Sequence, residues 1–145
     1  MNSNHLCLFV VNKNGSLVYT RTFSNRLNFT NNDTIRLGST FHSMHAISSQ
    51  ITPSCALPKP QQLEAPVLDG ITEIVTDTFV LKSQNTLTGI KIVLVSLPHA
   101  ASMQPAVLRR VNEAYSDFVA KNPFQEADMP IKSELFDAQI CLIFN

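Results

Sequence analysis

His42 and His45 stand three residues apart, and two imidazoles one helical turn apart could in principle share a metal ion. A metal site needs a third ligand, and the nearest acidic residue, Asp33, lies far back along the same segment. The pair is therefore expected to be ordinary helix or interface histidines, and both are kept as candidates for partner contact. Cys55 sits among prolines with no base beside it to lower a thiol pKa, so no reactive cysteine is expected. Glu134 and Asp137 are one turn apart, as paired carboxylates could be, but a solvated helix face accounts for them. His5 and His99 stand alone. Gly15, Gly38, Gly70 and Gly89 make neither a phosphate loop nor a dinucleotide fingerprint, and no GxSxG occurs. The expectation is a chain with no catalytic residue, cofactor or metal of its own.

Composition points the same way. Of the 145 residues, 44% are hydrophobic, enough for a core, but only 15% are charged, below the usual quarter or so. A surface this poor in charge is expected to be covered in part by something else. Net charge is zero, which removes the electrostatic footprint of a nucleic-acid or anionic-membrane binder. Cys7, Cys55 and Cys141 are odd in number and widely spaced, so they build no disulfide framework. Cys7 and Cys141 lie in apolar runs and read as small core residues. The longest apolar run, Leu6 to Val11, is six residues, too short for a signal peptide or a membrane span. A reducing, cytoplasmic setting is expected, and the sequons at Asn14, Asn28 and Asn32 then read as chance matches.

The elements that would position these side chains follow from periodicity. Leu6–Val11 is continuously apolar, as in a strand buried on both faces. Asn14-Gly15 follows as a hairpin turn, and Leu17–Phe23 alternates as the return strand. Asn32 or Asp33 is the expected cap of a helix from Thr34 to Ile51, with Leu37, Phe41, Met44, Ser48 and Ile51 as its apolar stripe. Residues 53–69, with Pro53, Pro58, Pro60 and Pro66, read as a mobile connector inside one domain of residues 1–145. Ile71–Val75, Thr78–Lys82 and Gly89–Leu97 read as strands, the last central because it is apolar on both faces. A second long helix spans Ala101 to Lys121, capped by Ser102 and stopped by Pro123, burying Leu108, Val111, Tyr115, Phe118 and Val119. A short helix starts at Ser133. The order β-β-α-β-β-β-α-α is an α/β fold with a five-stranded antiparallel sheet.

The loop after the second long helix carries the remaining candidates: Lys121, Asn122, Pro123, Phe124, Met129, Pro130 and Ile131. Two readings stand side by side. Phe124 packs back on the sheet behind a helix stop, or the loop meets a partner.

Read as whole segments, the chain carries stretches that match one known family in order. The matching stretches begin with Val10-Val11-Asn12-Lys13 and Gly15, then Phe41-His42-Ser43-Met44-His45-Ala46-Ile47, and Thr76-Asp77-Thr78-Phe79. Thr86-Leu87-Thr88-Gly89-Ile90-Lys91 follows, then Tyr115-Ser116-Asp117-Phe118 running into Lys121-Asn122-Pro123-Phe124. Met129-Pro130-Ile131 and Glu134-Leu135-Phe136-Asp137 complete an ordered set that spans nearly the whole chain. On these stretches the chain resembles the synbindin family of longin-like subunits of the TRAPP vesicle-tethering complex.

The resemblance implies a longin-like (profilin-like) fold. It implies a subunit of an assembly acting in endoplasmic reticulum to Golgi transport, cytoplasmic and peripheral to those membranes. In such an assembly the subunit pairs with a second longin-like subunit and touches one of a lipid-pocket fold. The assembly, not this chain alone, promotes nucleotide exchange on a Rab1-type GTPase. Some relatives carry a PDZ-like insert after the first hairpin, where Phe23 to Asp33 here is only a loop, so any role of that insert does not carry over. The proline-rich connector is longer than expected of the family, and the ending Cys141-Leu142-Ile143-Phe144-Asn145 is shorter and more apolar. The alternative is a longin-type trafficking adaptor, SNARE-like or coat-related. A SNARE would need a C-terminal coiled-coil segment and an anchor, and the sequence to Asn145 contains neither.

Overall fold

Two apolar runs that are hydrophobic on both faces, Leu6–Val11 and Ile92–Val95, can be buried on both faces only at the centre of a sheet, and that is where the chain puts them. The computed structural model describes residues 5–23, 30–51, 71–86, 88–126 and 129–144. The expected connector at 53–69, with Cys55, lies outside the described residues. Strands β1 (His5–Val11), β2 (Leu17–Thr22), β3 (Glu73–Val75), β4 (Val80–Asn85) and β5 (Lys91–Ser96) pair antiparallel in the order β2-β1-β5-β4-β3. Phe9 lies opposite Thr20 on one side and Val93 on the other. Helix α1 (Asn31–Ile51) lies between β2 and β3 in sequence, and α2 (Gln104–Tyr115) and α3 (Glu134–Phe144) follow β5.

Side-chain alternation along the central strands divides the interior in two. Leu8, Val10, Ile92 and Leu94 face α2 and α3, packing on Leu108, Val111, Phe136 and Ile140. Cys7, Phe9, Val11, Val93 and Val95 face α1, whose anchor is Phe41. The molecule is thus three layers, α1 on one face of the sheet and the α2–α3 pair on the other.

Several local expectations are corrected. First, α1 is capped by Thr30, not Asn32 or Asp33. The Asp33 amide donates to Thr30 Oγ1 at 3.3 Å, and Asp33 Oδ2 accepts from the Thr30 amide at 3.1 Å, a reciprocal capping box. Second, the buried sector of α1 is turned away from Met44, which is 40% exposed, and toward Gly38. Gly38 lies against Leu17 and Val11, where a Cβ would sit in ordinary contact, 3.5 Å from Leu17 Cδ1 and 3.6 Å from Val11 Cγ2.

Third, the long helix is not uniform. A 3-10 turn at Pro98–Met103 leads into α2, and Ser102 makes no cap; a π turn at Ser116–Ala120 follows it. Tyr115 and Phe118 are only half-buried, while Gln104 and Ala114 join the buried face. Gln104 is fully buried, its Nε2 donating to the carbonyls of Val80 (2.9 Å) and Leu94 (3.3 Å), which ties the start of α2 to β4 and β5. Fourth, Asp137 does more than solvate α3. Tyr19 Oη donates to its Oδ1 at 2.7 Å and Arg21 lies 3.9 Å away, so the last helix is locked to the edge strand β2. Ser133 is the N-cap of α3, its Oγ accepting from the Phe136 amide at 3.3 Å. Cys141, expected in the core, is half-buried.

Candidate interaction surface at one end of the sheet

Two hairpin turns, the end of α2 and the loop that follows meet at the end of the sheet where β1 and β4 finish. In the first turn Asn12 Oδ1 accepts from the amides of Asn14 (3.1 Å) and Ser16 (2.8 Å), so a buried side chain holds the turn together. Gly15 has φ of 89°, and a Cβ there would come within 2.7 Å of the His42 ring. Both backbone and space demand glycine at this position. In the second turn Thr86 takes the Ile90 amide on Oγ1 at 3.1 Å, and Gly89 again has φ of 89°.

The loop from Lys121 to Ile131 is braced at several points. Asn122 Oδ1 accepts from the Phe124 amide at 3.1 Å across Pro123, an Asx turn whose proline fixes φ. Gln125 donates from Nε2 to the carbonyls of Glu126 and Met129, each at 3.1 Å. At the far end the Ile131 amide donates to the Val18 carbonyl at 2.8 Å. Val18 is the extra residue of a β-bulge, since Val10 faces Tyr19 while Val11 faces Leu17. It lies on the edge strand, where one row of backbone groups has no strand partner.

This bracing decides which way the candidate side chains point. Phe124 is 92% exposed and Met129 55%, and Pro130 is also exposed. Ile131 is 9% exposed and belongs to the core against α2 and α3, so its side chain anchors the loop instead of meeting a partner. Lys121 pairs with Asp117 at 3.4 Å one turn back, an exposed pair of little energetic weight.

His42 and His45 lie at the same end of the sheet but on the α1 face, away from this loop. Lys91 Nζ is 3.3 Å from His42 Nδ1, and His45 Nε2 is 3.2 Å from Asn85 Nδ2. Burial, and then the neighbouring Lys91, hold the His42 imidazole below its ordinary pKa. The candidate residues therefore form two groups, not one.

Burial pushes the Cys7 thiol up to about 12, so it stays protonated and unreactive. Among the described residues no three His, Cys, Asp or Glu side chains are grouped to hold a metal ion. No described helix is long and apolar enough to cross a membrane. Beside the loop lies what the periodicity did not reveal, a pocket of about 350 Å³ bounded by Tyr115, Val119 and Met129. Tyr115 and Val119 read in the sequence as core residues alone, because helical spacing does not distinguish a packed face from the wall of a pocket.

A three-layer arrangement with this strand order defines the class, a longin-like α/β domain. The chain belongs to the Sybindin-like family, whose model matches residues 5–145. It is 38% identical over 133 residues to trafficking protein particle complex subunit 4 of Dictyostelium discoideum, covering 92% of this chain and 90% of that one. It is 41% identical over 117 residues to the proteins of that name from Homo sapiens and Pongo abelii. There the match covers 81% of this chain and spans about half of the relative, 48%.

Proposed function

We propose that this chain is a subunit of a TRAPP-type tethering complex in endoplasmic reticulum to Golgi transport. It scaffolds the assembly and contributes part of the surface on which a Rab1-type GTPase docks. Its partners are a second longin-like subunit and a subunit of the lipid-pocket fold, and it sits at cis-Golgi and endoplasmic reticulum membranes through them. The action is positional. An assembly that binds the nucleotide-free GTPase more tightly than the loaded form lowers the barrier to nucleotide release, and this chain supplies contacts for that difference. Alone it catalyses nothing.

Membership of the Sybindin-like family supports the reading, and the observation that carries it is the exposed Phe124. A large aromatic ring held outward by a braced turn has no role in this chain's own core. Aromatic anchors of this kind concentrate interface energy. Lys121, Asn122, Met129 and Pro130 surround the ring in the proposed contact, and His42 and His45 belong to a second one on the α1 face.

The test is purification of the tagged chain from its own cell. Other TRAPP subunits should co-purify, and the assembly should accelerate nucleotide release from a Rab1-type GTPase far better than one lacking this chain. Recovery without those subunits, or equal exchange when the chain is omitted, would overturn the proposal.

A further inference from the structure

The pocket beside the loop has features of a binding site and not of a packing gap. Its floor is Val18, Ile90, Val119 and Ile131, all core residues held by the sheet and α2, so it is preformed. At about 350 Å³ it lies at the low end of ligand pockets, roughly 300–1,000 Å³. The π turn at Ser116–Ala120 forms its helical wall, and such turns recur at functional sites. Tyr115 lines it half-buried, and its hydroxyl makes no hydrogen bond among the described residues. The mouth carries Lys13 and Glu126, both exposed and neither in an ion pair among the described residues. Opposite charges at one mouth suit the dipolar backbone of a peptide better than a lipid headgroup of one sign. Met129, flexible and polarizable, forms an adaptable lip. The pocket shares Gln125, Glu126 and Met129 with the loop that presents Phe124, so one partner can cover the ring and enter the pocket together.

We infer that this pocket receives a large apolar side chain from a partner polypeptide, with the Tyr115 hydroxyl hydrogen-bonding the backbone that carries it. The inference rests on the reading of the chain as a subunit of an assembly. Its test uses the isolated chain, so failure here leaves the co-purification result standing.

The full chain, methyl-labelled and held below the concentration at which it associates, is titrated by NMR with N-acetyl-leucine amide, N-acetyl-phenylalanine amide and decanoate. The two amides should shift the methyl signals of Val18, Ile90, Val119 and Ile131. Ala120→Trp or Thr88→Trp, both at exposed positions lining the pocket, should abolish the shifts by filling it. Tyr115→Phe should raise the dissociation constant about fivefold, the weight of one net hydrogen bond. No amide shift, or shifts unchanged in both tryptophan variants, would overturn the inference. So would decanoate acting at lower concentration than either amide, which would make the pocket a lipid site.

Discussion

His5 shows how a residue that stood alone in the sequence acquires a job from its surroundings. Its Nδ1 is 2.7 Å from Ser96 Oγ, and its ring packs edge-on against Phe144 with centroids 5.4 Å apart. Burial holds its pKa below the ordinary 6.5. The unfolded chain therefore takes up this proton more readily than the folded one. Stability from neutral His5 is complete above pH 6.5 and is lost as pH falls from there to the lower folded value. His42 is shifted in the same direction and adds to that slope. His5→Asn should lower the melting temperature at about pH 8 yet flatten its decline between about pH 7 and pH 5. An unchanged decline in thermal-unfolding scans across that range would contradict the assignment. Phe124 is the opposite case. Its outward direction is set by the Ile131 anchor on the bulged Val18 and by the Asn122 turn, two contacts that spacing along the chain does not encode. The sequence supplied the aromatic ring and the turn, but not the side they face.

At the scale of elements, β1, β2 and β5 were legible because their signal is local, whereas β4 runs Val80–Asn85 where Thr78–Lys82 was expected. Cys7, Phe9 and Val11 against Leu8 and Val10 divide between the two cores as alternation requires. Helix α1 was legible in existence and less so in orientation, since Gly38 contributes nothing to a hydrophobic stripe and yet lies on the side that faces Leu17 and Val11 of the sheet. Its start was obscured for a similar reason. Thr30 followed three residues later by Asp33 is a capping box with Asp in place of the usual Glu or Gln, and two nearby asparagines compete for notice. Thr30→Ala should destabilise the chain by about 0.5–2 kcal/mol, the range for loss of a cap. Thr30→Ser should restore most of that in denaturant unfolding, and equal losses from both would show that the cap hydrogen bonds do not matter. The π turn after α2 could not be read at all, because one extra residue in a turn leaves the apolar period almost intact.

Across the whole molecule, the α2–α3 pair and α1 satisfy both sheet faces, yet large apolar side chains remain outside. Leu135 and Leu142, seven apart on α3, are exposed, as are Ile35 and Ile47 on α1. With no net charge to keep copies apart, the chain expressed alone should self-associate. Co-expression with a longin-like partner should give a defined heterodimer on size-exclusion chromatography with light scattering. A clean monomer at high concentration that ignores such partners would count heavily against a scaffolding role. The central claim, that this chain works through the surface around Phe124, is tested most directly by Phe124→Ala, with melting temperature and affinity for the co-assembling partners measured on the same sample. The ring buries almost nothing in this chain, so stability should stay within about 0.5 kcal/mol of the parent. Affinity should fall by about 2 kcal/mol or more, roughly thirtyfold, or nucleotide release by the assembled complex should fall with it. Unchanged stability together with unchanged assembly and exchange would contradict the account.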